Sequence, residues 1–237
     1  MNEDFILSEL FSVGTPEKAA HLQKFFKTGP GQYGEGDVFI GVVVPHTRSI
    51  AKANLQTPLA EIRKLLKSKY HEARLCALLI LTERFKKAPE KERKEIFTFY
   101  LKNTTCVNNW DLVDLSCPTV VGEYLLDKNR DILYKLAESE CLWEQRISIV
   151  STYAFIREND FYDTLELSKK LFTHKHDLMH KAVGWMLREA GKRDRKTLTD
   201  FLEEYATKMP RTTLRYAIEH YPEPERQYFL KMKRRPV

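Results

Sequence analysis

Apolar residues recur along the chain at helical spacing, and this pattern predicts an almost wholly helical protein. In residues 1–28 the recurring positions include Leu22, Phe25 and Phe26, so the N-terminal segment is predicted to be helical. From Thr57 onward a two-helix theme repeats: a shorter amphipathic helix, a short break and a longer, more apolar helix. The second helices are predicted to begin near His71, Asn108, Leu142, Asp177 and Arg211. Successive starts are separated by roughly 33–37 residues, which is the period of a helical solenoid.

Two segments depart from simple amphipathic helices. The helix predicted from His71 to Lys87 is apolar nearly all round, as expected of an inner helix that is packed on both sides. The segment Thr28–Pro45 holds five of the nine glycines and two prolines, so it is predicted to be an ordered loop or hinge. Its glycines suggest a phosphate loop, but no Gly-Lys-Ser/Thr sequence follows them. Alternation within Val38–Val44 is interrupted by Gly41, which argues against a strand.

The predicted fold class is therefore all-α: a curved helical-repeat solenoid with a concave basic face, formed as a single domain over residues 1–237. Residues 1–56 are assigned to N-terminal helices and the glycine-rich loop. Residues 57–222 are assigned to two-helix repeats, and residues 223–237 to a basic C-terminal tail. A hydrophobic fraction of 43% is ordinary for such a globular chain.

The cysteines and the net charge indicate the cellular compartment and the class of partner. Cys76, Cys106, Cys117 and Cys141 stand far apart, which is typical of reduced thiols in a reducing compartment. With neither a signal peptide nor a long apolar run, a cytoplasmic protein without membrane contact is expected. The net charge is +6, and from Lys192 onward twelve Lys/Arg stand against seven Asp/Glu. This imbalance favours a polyanionic partner, although a solvated tail ending in Lys233, Arg234 and Arg235 is the open alternative.

Cations also recur at one position of the predicted second helices. Arg74, Arg146, Lys181 and Arg215 fall early in four of them. Because stacked repeats bring equivalent positions into a row, these residues are predicted to line one face. In the remaining repeat the position is held by Asp111 and Asp114, which suggests an anion track with a chemical centre. The alternative is that each cation simply meets solvent or a neighbouring carboxylate.

The candidate chemistry centres on two tryptophans, an aspartate and an arginine. Trp110 and Asp114 are four residues apart and share a face if the segment is helical. Trp185 lies off the apolar stripe of its predicted helix, on the flank of Lys181 and Arg188. Three alternatives stay open: Trp110 as a core anchor, Asp114 as the cap of a helix starting near Pro118, and Arg146 paired with a carboxylate.

One metal motif is rejected. His176 to His180 imitates the His-Glu-x-x-His zinc motif, but Asp177 stands where the glutamate is required and no third ligand beyond His174 is evident. No metal site is predicted.

Three motifs in order, NNWDLVD, CLWEQRISIV and HKAVGWMLREAGKRD, together with GQYGEGDVFIGVVVP, give the chain a family resemblance. The chain resembles the AlkD family of DNA alkylation-repair glycosylases, which are built of HEAT-like repeats, and the similarity covers nearly its whole length. The resemblance implies an enzyme that hydrolyses the N-glycosidic bond of cationic N3- and N7-alkylated purines in double-stranded DNA, leaving an abasic site. It also implies a monomer that needs no cofactor, metal or obligate protein partner.

The resemblance further implies roles for particular residues. Trp110 and Trp185 would contact the lesion, Asp114 would be the essential aspartate, and Arg146 would be the catalytic-site arginine. The resemblance also implies a DNA contact for an N-terminal aromatic residue, Phe25 or Phe26, where the family often has tyrosine. Apart from the resemblance, the basic row predicts DNA contacts for Arg74, Lys181, Arg188 and Arg215. Two other functions remain open: a non-catalytic binder of damaged or branched DNA, and a protein scaffold.

Overall fold

The computed structural model describes residues 2–232, and nearly all of them are helical. Helix α1 spans Glu3–Val13, α2 spans Pro16–Phe25 and α3 spans Val44–Ala53. The helices predicted within residues 1–28 are therefore confirmed, with a break at Gly14 and Thr15. Each begins at a side-chain cap, because Asn2 accepts the backbone N–H of Phe5 and Thr15 accepts that of Lys18. The basic end of the predicted tail, Lys233 to Arg235, lies outside the described residues.

Five helix pairs follow within residues 2–232, as the periodicity predicts. They are α4 Leu59–Leu66 with α5 His71–Lys87, α6 Glu90–Leu101 with α7 Trp110–Cys117, α8 Asp131–Ala137 with α9 Leu142–Ser151, α11 Tyr162–Leu171 with α12 Asp177–Arg193, and α13 Arg195–Tyr205 with α14 Arg211–Ala217. Helix α10 (Tyr153–Arg157) continues from α9, and α15 (Glu223–Lys231) follows the last pair. The expectation that each second helix is the longer one is wrong for α7 and α14, because both end within about two turns.

The end of α7 has a local cause at Pro118. Proline has no backbone N–H, so it cannot continue the α-helical hydrogen bonds of the segment. The chain instead passes through a π-helical turn at Pro118–Gly122 and a 3-10 turn at Glu123–Leu125. The helical path thus continues past the proline with altered hydrogen bonding.

The described chain divides into two compact units, one ending at Tyr124 and the other beginning at Leu125. In the first unit, α5 is buried over Ala73–Thr82 and packs against α3, α4 and α7, so the prediction of an inner helix is confirmed. In the second unit, α12 packs against α9, α13 and α14. Gly184 allows the approach of α14, since a Cβ there would lie 2.5 Å from Tyr216 Cβ and 2.6 Å from the carbonyl oxygen of Thr213.

The predicted loop connects α2 to α3 and is held to α5. Residues Val38 and Tyr70 form an isolated parallel bridge, and no strand occurs among the described residues. The Glu72 carboxylate accepts three backbone N–H groups, those of Ile40, Gly41 and Val42, at 2.8–3.1 Å. Gly41 has φ +92, a conformation that side chains with a Cβ rarely adopt. The loop is therefore ordered by a buried carboxylate.

No helix in the described part of the chain has the length and apolar character that crossing a bilayer requires.

Candidate functional site

Trp110 and Asp114 lie one turn apart on α7, in the first unit. The Asn109 side chain caps this helix by accepting the backbone N–H of Trp110 at 2.8 Å, so Trp110 is the first helical residue. Asp114 is the fifth residue of the same helix, and both side chains are partly exposed. The alternative in which Asp114 caps a helix starting near Pro118 is therefore wrong.

Trp110 belongs to a group of contacting rings that we call the aromatic platform: Phe25, Phe26 and Trp110. Phe26 is 6% exposed and stacks on Trp110, with ring centroids 5.4 Å apart and an interplanar angle of 20°. Phe25 is 56% exposed and meets Trp110 edge-on at 6.2 Å. The indole Nε1–H donates to the Tyr33 hydroxyl at 3.3 Å. Of the two adjacent phenylalanines, Phe25 is thus the one that can contact a ligand, and Phe26 is the support beneath Trp110.

A group of buried polar residues lies behind the platform, and the sequence analysis did not predict that its members contact one another. We call it the His71 cluster: Asp37, His71, Arg74, Asn109 and Asp111. The ring of His71 is held by two carboxylates, with Nδ1 at 2.9 Å from Asp37 Oδ2 and Nε2 at 2.8 Å from Asp111 Oδ2. Asn109 donates to Asp37 Oδ2 at 3.2 Å. Because the members come from three distant parts of the chain, no local sequence motif predicts that they form a cluster.

Electrostatics within the cluster favour charged side chains. Burial alone lowers the pKa of His71, but its hydrogen bonds to Asp111 and Asp37 outweigh burial and raise this pKa to about 9. Burial opposes ionisation of Asp37, yet the His71 hydrogen bond and the Arg74 charge keep the pKa of Asp37 below its ordinary value.

Arg74, which was predicted to contact DNA, forms its hydrogen bonds within the interior of the first unit. Arg74 is 5% exposed, and its guanidinium donates to Asp37 Oδ1 at 2.5 Å and to the Ser68 carbonyl oxygen at 2.8 Å. The DNA contact predicted for Arg74 from the row of cations stays a prediction without support from this placement.

In the second unit, Arg146 and Trp185 lie on neighbouring helices. Arg146, on α9, is 5% exposed and donates to the Leu178 carbonyl oxygen of α12 at 2.6 Å. Trp185, on α12, is partly exposed, and its ring lies 6.1 Å from that of Tyr153. The partial exposure of Trp185 agrees with its predicted position off the apolar stripe.

The remaining predicted cations of the second unit lie nearer the surface. Lys181 pairs with Asp177 across one helical turn at 2.9 Å. Arg188 pairs with Glu219 and approaches Glu189. Arg215 is exposed on α14. Equivalent sequence positions thus carry cations with very different degrees of burial.

The histidines of the rejected metal motif have other partners. His174 Nε2 is 2.8 Å from Gln145 Oε1, and His176 Nδ1 accepts the backbone N–H of Leu178 as a helix cap. Burial lowers the pKa of both rings. In the described part of the chain, no group of three His, Cys, Asp or Glu side chains is arranged to hold a metal ion.

Comparisons with known proteins give a family match and, separately, a similar fold. The family model described as DNA alkylation repair enzyme matches residues 6–221. Among solved structures, the fold is similar to that of a predicted DNA alkylation repair enzyme from Enterococcus faecalis, with a TM-score of 0.69 and 16% sequence identity. That similarity covers 89% of this chain and 97% of the other. No curated protein sequence matches the chain.

Proposed function

This chain belongs to the DNA alkylation repair enzyme family, and on that premise we propose that it is a DNA glycosylase for cationic alkylated purines. The proposed reaction is hydrolysis of the N-glycosidic bond of an N3- or N7-alkylated purine in duplex DNA, which leaves an abasic site. The motif resemblance to the AlkD glycosylases supports this narrower activity.

The observation that carries the proposal is the pairing of an aromatic platform with a carboxylate on α7. Trp110 and Asp114 are four residues apart on one helix and are both partly exposed, and Phe25 extends the platform toward solvent. Aromatic faces attract cations by about 0.5–2 kcal/mol each, depending on desolvation. An alkylated purine that carries a positive charge is therefore a suitable partner for the platform.

The chemistry asked of Asp114 is modest because the leaving group is already cationic. Alkylation at N3 or N7 weakens the glycosidic bond, so the departing base needs little protonation. What remains is to stabilise the positive charge that develops on the sugar and to orient a water toward C1′. A carboxylate can do both, as carboxylates do in glycoside hydrolysis. In the proposed reaction water attacks C1′ and loses one proton to solvent. The bond to the purine breaks, and its electron pair leaves with the base, which therefore departs neutral.

The proposal gives the second unit a share in DNA binding. We assign Arg146 and Trp185 to contacts near the lesion, following the motif resemblance, and Lys181, Arg188 and Arg215 to the phosphate backbone. Substituting these three cations by neutral residues should make DNA affinity less dependent on salt. Each lost phosphate contact lowers the slope of log K against log salt concentration by about 0.9.

The test is release of free 7-methylguanine or 3-methyladenine from alkylated duplex DNA. The isosteric Asp114→Asn variant removes the charge but keeps the shape, and we expect single-turnover excision to fall about 100-fold. Trp110→Ala is expected to fall as well, through loss of the platform. Leu115→Ala is the matched control, because Leu115 is an exposed neighbour on the same helix. Full excision by Asp114→Asn and Trp110→Ala would remove these two residues from the proposed site.

The same assay separates the glycosylase from a DNA-binding protein without activity. Salt-sensitive binding to alkylated duplex with no released base would establish a non-catalytic binder instead. Indifference to DNA at any salt concentration would exclude both and favour a protein scaffold.

A further inference from the structure

The His71 cluster joins three segments directly behind Trp110. Asp37 comes from the glycine-rich loop, His71 and Arg74 from α5, and Asp111 from the first turn of α7. An ionised carboxylate can only accept hydrogen bonds, so a ring bonded to carboxylates at both nitrogens must donate from both. His71 therefore bridges the loop and α7 as an imidazolium ion, 2% exposed.

The His71 imidazolium lies where a positive charge is unfavourable, so it requires the two carboxylates to remain charged. His71 is the first residue of α5, where the helix dipole disfavours positive charge. A buried charge is tolerated only when it is paired and hydrogen-bonded. Removing a proton from the ring would break one of its two hydrogen bonds to the carboxylates and weaken one side of the bridge.

The imidazolium also supports the aromatic platform through ring contacts. His71 stacks on Phe39 at 4.6 Å and lies 5.0 Å from Phe26, which in turn stacks on Trp110. The cluster thus reaches Trp110 along two routes. One route is the backbone of α7 through Asp111, the neighbour of Trp110, and the other is the ring of Phe26.

We propose that His71, held between Asp37 and Asp111, is a positioning residue that fixes Trp110 and the first turn of α7 against the glycine-rich loop. The inference rests on the function proposed for Trp110 and deepens it. His71 touches no reacting atom in this scheme. Its effect on base excision passes through the placement of the platform.

The charged groups that face His71 come from each element of the cluster. They are Asp37 from the loop, Arg74 from α5 and Asp111 from α7, while Phe26, directly after α2, contributes an uncharged ring. The carboxylates favour the imidazolium and the Arg74 charge opposes it. Positioning by His71 should accordingly be lost as the pH rises through about 9.

The test follows the environment of Trp110 and the excision rate over the same pH range. Trp143→Phe with Trp185→Phe leaves Trp110 as the single tryptophan, so emission from pH 7 to 9.5 reports on it without DNA. Excision is measured in the otherwise unchanged protein and corrected for release without enzyme. We expect both signals to change with a midpoint near pH 9, the rate falling about fourfold by pH 9.5, while the far-ultraviolet circular dichroism stays constant.

Three variants identify the titrating group. His71→Gln should abolish the transition in both signals, and Asp111→Asn should move its midpoint to lower pH by removing one of the two carboxylates. Tyr33→Phe is the control for ionisation of the hydroxyl beside Trp110, and it should leave the midpoint in place. If His71 had only a structural role, His71→Gln and Asp111→Asn would lower stability but would not change the pH dependence of the Trp110 emission or of the excision rate.

Constant emission and rate from pH 7 to 9.5 in the folded protein, or an unchanged transition in His71→Gln, would overturn the inference and leave the proposed function intact. A protein that releases no base, but whose Trp110 emission titrates with His71, would overturn the proposed function and retain His71 as the residue that positions Trp110.

Discussion

Replacing Glu72 by glutamine should loosen the glycine-rich loop. The carboxylate is buried, and its two oxygens accept three backbone N–H groups, from Ile40 at 2.9 Å, Gly41 at 2.8 Å and Val42 at 3.1 Å. A glutamine amide can keep its oxygen toward Gly41 and Val42. Its NH2 group must then face the N–H of Ile40, so two donors oppose each other in a buried place.

The cost can be worked from these contacts. Hydrogen bonds to a charged acceptor contribute about 1.5–3 kcal/mol and neutral ones about 1 kcal/mol, and an unsatisfied buried donor costs about 1–3 kcal/mol. Removing a buried charge offsets part of this loss. We therefore expect Glu72→Gln to lower the free energy of unfolding by about 2–4 kcal/mol.

Two measurements check this expectation. The urea midpoint should fall, and hydrogen exchange of the Ile40, Gly41 and Val42 amides should accelerate about 30-fold or more. Glu140→Gln is the control, because Glu140 is exposed and its substitution should change stability by less than about 0.5 kcal/mol. An unchanged urea midpoint with full protection of the three amides in Glu72→Gln would refute the reasoning.

Four further outcomes are expected. Gly184→Ala should lower the melting temperature through a loss of about 1–3 kcal/mol, since the new Cβ would lie 2.5 Å from an atom of α14; an unchanged melting temperature would contradict that packing. Burial raises the pKa of the Cys76 thiol to about 12, so a thiol reagent at pH 8 should modify Cys76 only after unfolding. The raised pKa of His71 contributes about 3 kcal/mol of stability that is fully present below pH 6.5 and is lost as the pH rises through about 9; urea unfolding at pH 6 and pH 10 should show this loss, and its absence would contradict the buried imidazolium. Phe26→Ala should cost about 3–5 kcal/mol in urea unfolding, whereas Phe25→Ala should cost far less and mainly weaken binding of alkylated DNA; equal losses of stability would contradict their different burial.

The helices could be predicted closely because their signals are local. The predicted starts at His71, Leu142, Asp177 and Arg211 are the observed first residues of α5, α9, α12 and α14, and the start predicted near Asn108 is observed at Trp110. Helix lengths were less predictable, since the proline that ends α7 can also be read as the beginning of another helix. Spacing therefore fixes where an apolar helix begins better than where it ends.

The candidate site could be predicted only in part. The spacing of Trp110 and Asp114 correctly places them on one helix. The position of Arg74 in its repeat does not indicate that its guanidinium forms a buried ion pair with Asp37, which lies far away in the sequence. Likewise, the pattern at residues 25 and 26 marks both phenylalanines as apolar, and only the tertiary packing turns one outward. Side chains whose partners come from distant segments are the ones that sequence alone leaves open.

The way Glu72 holds the loop has a consequence for interpreting glycine-rich sequences. Successive backbone N–H groups that converge on one point form a nest of the kind that captures anions. Here the chain supplies its own anion from a separate helix, so the nest is occupied as soon as the protein folds. Glycine spacing alone cannot distinguish a loop that waits for a phosphate from a loop whose counter-charge is encoded elsewhere in the same chain. The distinguishing residue is the distant carboxylate, and a search for nucleotide-binding loops gains specificity by asking whether one is present.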